Sequence, residues 1–183
     1  MQKIFLGAFI IFVGFIVSIF IKAGAWRSVE ISEVDLGPIN MVYKDYVGPY
    51  HKIVKTIQEV ETWAKSKNLD CSESFGEYLD DPNLVDHDRL KGRGGCILST
   101  IPKEMPAEFK SQILPNRHYI QGIFLGSPAL GPMKAYGKIA EYIEKNNFKS
   151  NSAVIEIYKL KDKTNVETKY LFSVQSLPLN PNN

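Results

Sequence analysis

INMVYKDYVGPYHKIVKTIQEVETWAKSKNLDCSESFGEYLD, residues 39–80, has a second version of itself at residues 118–159, HYIQGIFLGSPALGPMKAYGKIAEYIEKNNFKSNSAVIEIYK. A slide of 79 positions lays one on the other without a gap. Gly48-Pro49 meets Ser127-Pro128. Val54, Ile57, Val60 and Trp63 meet Met133, Tyr136, Ile139 and Tyr142, and Glu77 meets Glu156. An internal repeat sets the architecture before any local motif is read, because like units bury their open faces against each other. The seam between two such units is a natural place for a ligand.

Within the first copy, Ile39–Val47 carries β-formers and stops at Gly48-Pro49. Beyond the proline, Ile53, Val54, Ile57, Val60 and Ala64 recur at helical spacing with Lys, Gln and Glu between them. Ser74–Asp80 and Gly94–Thr100 read as two further strands, separated by an Asp81-Pro82-Asn83 turn. The second copy repeats this order: strand Arg117–Leu125, helix Pro132–Asn146, strands Ala153–Leu160 and Lys169–Gln175. The expected fold class is α+β, with duplicated strand–helix–strand–strand units (38–100 and 117–176) in an antiparallel sheet and the helices on one side. Residues 101–116, with prolines at 102, 106 and 115, read as a connection, and the polar, proline-broken tail 177–183 reads as disordered.

Residues 4–21 are eighteen consecutive residues without a charge. At ~1.5 Å per residue they nearly cross a ~30 Å hydrocarbon layer, so residues 1–22 read as a single-pass membrane anchor. Ala23-Gly24-Ala25 resembles a signal-peptide cleavage site, but the apolar run exceeds the roughly 7–15 residues of such peptides. Residues 23–37 read as a linker to the domain. Lys3 and the terminal amine before the span balance Lys22 and Arg27 after it, so the side of the membrane stays open. Removing Lys3, Lys22 and Arg27 leaves 19 basic against 20 acidic residues in the rest of the chain, which disfavours a nucleic-acid partner.

Alternation along Ala153–Leu160 puts Ala153, Ile155 and Ile157 on one face, expected to pack on the helix, and Val154, Glu156, Tyr158 and Leu160 on the other, expected to face a cleft. Glu156 is the sharpest candidate, because a carboxylate on an apolar strand face is costly to bury without a partner. A bound organic cation supplies that partner, and Tyr158 adds cation–π attraction. The competing reading pairs Glu156 with an internal Lys or Arg, or with water. Val154, Tyr46 and Glu77 complete the candidate ligand set, with a structural or solvated role competing at Glu77. Tyr43, Tyr50 and Tyr119, like Tyr46, line either cleft or core, and strand parity does not separate the two. No metal or cofactor is expected: His51, His87 and His118 lack paired ligand spacing, and Asp80, Asp81, Asp86 and Asp88 do not form a calcium loop. Cys71 and Cys96 read as free thiols, since a straight hairpin sets them too far off register to bond.

Several of these stretches resemble one family. Tyr46-Val47-Gly48-Pro49-Tyr50 is similar to the strand-to-helix junction of GyrI-like proteins. Gly76-Glu77-Tyr78-Leu79-Asp80-Asp81-Pro82 resembles the family's tyrosine-rich strand ending in Asp-Asp-Pro. Gly95-Cys96-Ile97-Leu98 resembles its Gly-Ser-Ile-Leu strand, and Glu156-Ile157-Tyr158 its Glu-x-Tyr. The resemblance runs over 38–176 and points to the subtype with an N-terminal membrane helix. It implies a central cleft that takes an amphipathic small molecule, cationic or hydrophobic. Two alternatives accompany it: hydrolysis of electrophilic small molecules by the cleft Glu156 and Tyr158, as in some members, and a membrane-tethered adaptor for a protein partner.

Overall fold

The structure, a computed structural model, describes residues 2–162 and 165–176. The expectation for the tail 177–183 lies outside the described residues. Helix α1 spans Gln2–Lys22. It is followed by β1 (Glu30–Leu36), β2 (Ile39–Val47), α2 (Val54–Ser66), β3 (Glu73–Tyr78), β4 (Lys91–Ile97) and β5 (Lys110–Leu114). The second half contains β6 (Arg117–Gly126), α3 (Gly131–Lys145), β7 (Phe148–Leu160) and β8 (Val166–Ser176). The strands form one antiparallel sheet in the order β1-β6-β8-β7-β3-β4-β2-β5. The fold is a curled antiparallel sheet with helices α2 and α3 on one face, in the α+β class.

Two edge strands occupy stretches expected to be irregular. The linker 23–37 contains β1, which pairs along β6 from Glu30 opposite Ile123 to Leu36 opposite Arg117. Its Glu30, Glu33 and Asp35 interrupt the apolar alternation and hide the strand; charges on an edge also keep it from pairing with other chains. The connection 101–116 contains β5, a partner of β2. Its prolines at 106 and 115 lie outside the strand and do not break it.

Each helix covers its own half of the sheet with an aliphatic stripe. Val60 and Ala64 of α2 pack on Val42, Cys96 and Leu98, while Ala135, Ile139 and Ile143 of α3 pack on Ile120, Phe124, Val154 and Phe172. Burying each large aliphatic side chain contributes roughly 1.5–3 kcal/mol. The opposite face is covered as well. There the curl of the sheet brings Val34 and Leu36 of β1 and Leu114 of β5 against Met41, Phe75, Tyr119, Ile155, Ile157 and Leu171. The faces of β7 are therefore the reverse of the expectation: Ile155 and Ile157 point away from the helices, and Val154 and Glu156 point toward them. With both faces covered, alternation separates the two sets but does not say which set meets the helix.

The same parity limits the slide of 79. The helix cores correspond under it, Thr56 with Ala135, Val60 with Ile139 and Ala64 with Ile143. In β2, β3, β4, β6, β7 and β8, helix-facing residues carry even numbers in both halves, among them Val42, Tyr78, Cys96, Ile120 and Val154. An odd shift turns such strands over. Glu77 thus lies on the face opposite Glu156, and the residue across from Glu156 on β3 is Gly76. β7 also carries a register shift between Ser150 and Val154.

Cys71 and Cys96 are not free. They form a disulfide, with Cα atoms 5.4 Å apart. Ser74 is the cross-strand partner of Cys96. A straight extension of β3 would carry Cys71 away, but the chain leaves α2 through Leu69 and bends at Ser72, so Cys71 returns beneath the helix beside Cys96.

Helix α1 is long and apolar enough to cross a membrane. Its window Phe5–Lys22 has a mean hydropathy of 2.5, and none of it is buried.

Candidate functional site

On the helix side of the sheet, a cleft of about 760 Å³ opens between the N-terminal ends of α2 and α3. Val154 and Glu156 of β7, Tyr78 of β3 and Phe172 of β8 form its floor. Ala129, Pro132 and Tyr136 make one wall. Tyr50, His51 and the turn from Asp80 to Asn83 make the other. Mostly apolar walls with few polar groups are the usual make-up of a small-molecule site.

The carboxylate of Glu156 is the centre of the floor, 4% exposed. Its Oε1 accepts a hydrogen bond from the Tyr136 hydroxyl at 2.7 Å, and its Oε2 one from the Tyr158 hydroxyl at 2.8 Å. Tyr158 has a single hydroxyl proton and gives it to Glu156, so the Tyr78 hydroxyl, 2.9 Å away, donates to Tyr158 in turn. Among the described residues, no Lys, Arg or His nitrogen lies within ion-pair distance of Glu156. Burial pushes the Glu156 carboxyl above its ordinary value, and the hydrogen bonds from Tyr136 and Tyr158 only partly oppose it. Tyr78, Tyr136 and Tyr158 are pushed far up by burial first and by the charge of Glu156 second, so all three stay protonated donors.

The wall from Tyr50 to Asn83 is held by further contacts of its own. Tyr50 stacks edge-on against Tyr78, with ring centroids 4.8 Å apart. Its hydroxyl lies 2.9 Å from the Asp80 and Lys91 carbonyls and accepts from the Asp80 amide. Asp80 Oδ2 accepts from the Lys91 amide at 2.7 Å, and Asp81 Oδ1 holds the Asn83 amide at 2.8 Å. Both aspartates are thereby engaged in building the turn.

Of the sequence candidates, Glu156 and Val154 line the cleft, and Tyr158 stands behind Glu156 as its donor. Glu77 lies on the far face of the sheet, 3.0 Å from Arg93 Nη1 and within reach of Gln112. Tyr46 does not line the cleft; its hydroxyl donates to the Pro49 carbonyl at 2.8 Å. Tyr43 and Tyr119 belong to the core, and Tyr50 to the cleft. Tyr136 is a site residue that was not among the sequence candidates. The signal was present: the slide of 79 sets it on Ile57, and a phenol replacing a core aliphatic requires a hydrogen-bond partner when buried.

Residues 29–175 match the model of the GyrI-like small molecule binding domain, and the chain belongs to that family. A stretch of 76 residues is 29% identical to a DNA gyrase inhibitor of Pectobacterium carotovorum, covering 40% of this chain and 49% of that protein, about half its length. The fold is similar to that of EcmrR solved in a DNA complex, with a TM-score of 0.66 at 14% identity over 88% of this chain and 64% of that one. It is also similar to a structure of SAV2435 bound to tetraphenylphosphonium, with a TM-score of 0.51 at 14% identity over 80% of this chain and 94% of that one. The chain is thus a small-molecule binding domain by family.

Proposed function

We propose that this protein is a membrane-anchored receptor for a small amphipathic cation, held in the cleft with its charge against Glu156. The observation that carries this reading is the composition of the Glu156 shell: a buried carboxylate met by two phenols and by no cationic side chain among the described residues. Phenol donors stabilise the carboxylate without neutralising it. An organic cation entering the cleft supplies the missing charge, while Tyr78, Tyr136 and Phe172 offer it aromatic surface. The tetraphenylphosphonium bound to SAV2435 is a ligand of this chemistry.

Two finer features belong to the same reading. The mirrored strand order β3-β4-β2-β5 and β7-β8-β6-β1 supports two copies of one unit meeting at β3 and β7, with the cleft above that seam. Helix α1 supports single-pass anchoring, and the Cys71–Cys96 bond supports a domain held on the oxidising side of that membrane.

The test is equilibrium binding of tetraphenylphosphonium to the full chain in detergent, beside Glu156→Gln. Removing one partner of a desolvated charge pair costs about 2–5 kcal/mol, so the variant should bind at least about thirtyfold more weakly. Equal binding by both proteins would discard the cation reading. The Tyr78–Tyr158–Glu156 chain also suits a carboxylate that draws a proton from water. Turnover of an electrophilic ester, lost in the same variant, would replace the receptor with a hydrolase.

A further inference from the structure

The segment that leaves α1 does not trail freely into the domain. Gly24, with φ +82°, closes the helix, and the Ala25 amide donates back to the Phe20 carbonyl at 3.0 Å. The chain then docks on the end of β6 and the start of α3. The Ser127 amide donates to the Ala23 carbonyl at 2.9 Å, and Arg27 Nη1 to the Leu125 carbonyl at 3.0 Å. Lys134 Nζ donates to the carbonyls of Ala25 and Arg27, the latter at 2.6 Å. A Cβ on Gly126 would stand 2.7 Å from the Ala23 carbonyl oxygen, so glycine is what allows this approach.

Three apolar side chains remain open to solvent around this joint: Trp26 at 71%, Met133 at 83% and Leu125 at 37% exposure. The Trp26 indole donates to the Ile21 carbonyl in the last turn of α1, and the Arg27 guanidinium lies over its ring. Tryptophan beside the end of a spanning helix, flanked by Lys22 and Arg27, is the composition of a membrane–water boundary. Met133 belongs to the first turn of α3, the turn that Lys134 bonds to the joint. Its chain neighbour Pro132 is in the wall of the cleft, as is Ala129.

We infer that Trp26, Leu125 and Met133 form a seat on the lipid headgroup layer, so that the cleft wall built from Ala129 and Pro132 stands at the bilayer surface and takes its ligand from that layer. The occupant of this apolar patch is the bilayer itself, fixed by continuity with the exit of α1. The inference rests on the anchor reading above and goes beyond it, because a tether alone would leave Met133 in water.

The experiment uses the full chain reconstituted in phosphatidylcholine vesicles, plain or brominated near the headgroup. Trp63 packs against Phe109 in the α2 half and supplies a constant background. Brominated lipid should quench part of the wild-type emission, and Trp26→Phe should abolish that part. Met133→Trp in the Trp26→Phe background, at a position open enough to accept the ring, should restore it. Flotation is scored in parallel. If the protein floats with the vesicles and the tryptophan at 133 is unquenched, the seat is wrong and the anchor stands. If the protein does not float, the anchor reading fails and the seat with it.

Discussion

One row of cross-strand neighbours passes beneath both helices: Tyr170, Glu156, Gly76 and Gly94, on β8, β7, β3 and β4. The two halves fill this row in opposite ways. Under α2 it consists of glycines, and a Cβ on Gly94 would stand 2.8 Å from Ile57 Cγ1, so the helix closes down and leaves no space. Under α3 the row carries Glu156 and Tyr170, and the helix answers with Tyr136, whose counterpart under the slide of 79 is Ile57. One layer plan thus yields a half sealed beneath its helix and a polar, cleft-facing half, while the first half still lends the cleft Tyr78 and the wall from Tyr50 to Asn83. Three exchanges are enough: two glycines against Glu156 and Tyr170, and one aliphatic against a phenol. The sealed half carries the disulfide as well, with Cys96 buried under Val60 and Ala64.

The largest expected effect breaks the sealed half alone. Opening the Cys71–Cys96 loop, of 25 residues' separation, in a Cys71→Ser, Cys96→Ala double variant should cost about 3 kcal/mol in urea unfolding. Neither cysteine lines the cleft, so affinity for tetraphenylphosphonium should hold. If affinity falls in step with stability, the packing under α2 and the cleft are coupled rather than separate. Thiol labelling of the wild type in intact cells adds a second reading of the same bond: free thiols would overturn the oxidising side proposed for the domain.

How far this contrast could be read in the sequence differs from element to element. Helices α2 and α3 and the strands β2, β3, β4, β6, β7 and β8 are visible in periodicity and turn residues, and Glu156 stands out because it interrupts an apolar strand. The slide of 79 finds the Ile57–Tyr136 exchange, yet it also sets Glu77 on Glu156. Strand faces depend on register, and one residue of phase reverses them. The orientation of β7 was not legible because Ile155 and Val154 are both buried, against different partners. The bond between Cys71 and Cys96 depends on the path of the chain out of α2, and β1 is hidden by Glu33 and Asp35. These features are set by tertiary curvature, which no local pattern encodes.

A smaller change sharpens the cleft-facing half. Tyr136→Phe keeps the ring that packs on Tyr170 and Phe172 and removes only the donor to Glu156 Oε1. Leaving a buried carboxylate one hydrogen bond short should cost about 1–3 kcal/mol near neutral pH. The same deletion beneath α2 has no equivalent, because Ile57 offers nothing to lose but packing. Ile57→Val should therefore cost only about 0.5–1.5 kcal/mol, with no dependence on pH. A Tyr136→Phe penalty that is the same in acid and at neutral pH would show that the carboxylate is not what the phenol serves.

The smallest effect is the pH dependence that Glu156 imposes. Burial raises its folded pKa above the ordinary 4.5, against the pull of Tyr136 and Tyr158. Between those two values the folded state holds a proton that the unfolded chain has released. Its contribution is therefore fully present below about 4.5 and is lost as pH rises through the folded pKa. Glu73 runs the other way: burial opposes ionisation there, but Lys169 and Lys159 outweigh it, so its stability is present at neutral pH and lost in acid. Subtracting the unfolding midpoints of Glu156→Gln from those of the wild type cancels Glu73 and isolates Glu156. The difference should move against the wild type as pH rises above 4.5, and parallel curves would exclude a strained carboxylate. A bound cation should flatten the difference, because it binds the ionised form that the empty cleft disfavours. In that respect the sealed half has nothing to show: its row of glycines carries no charge for a ligand to meet.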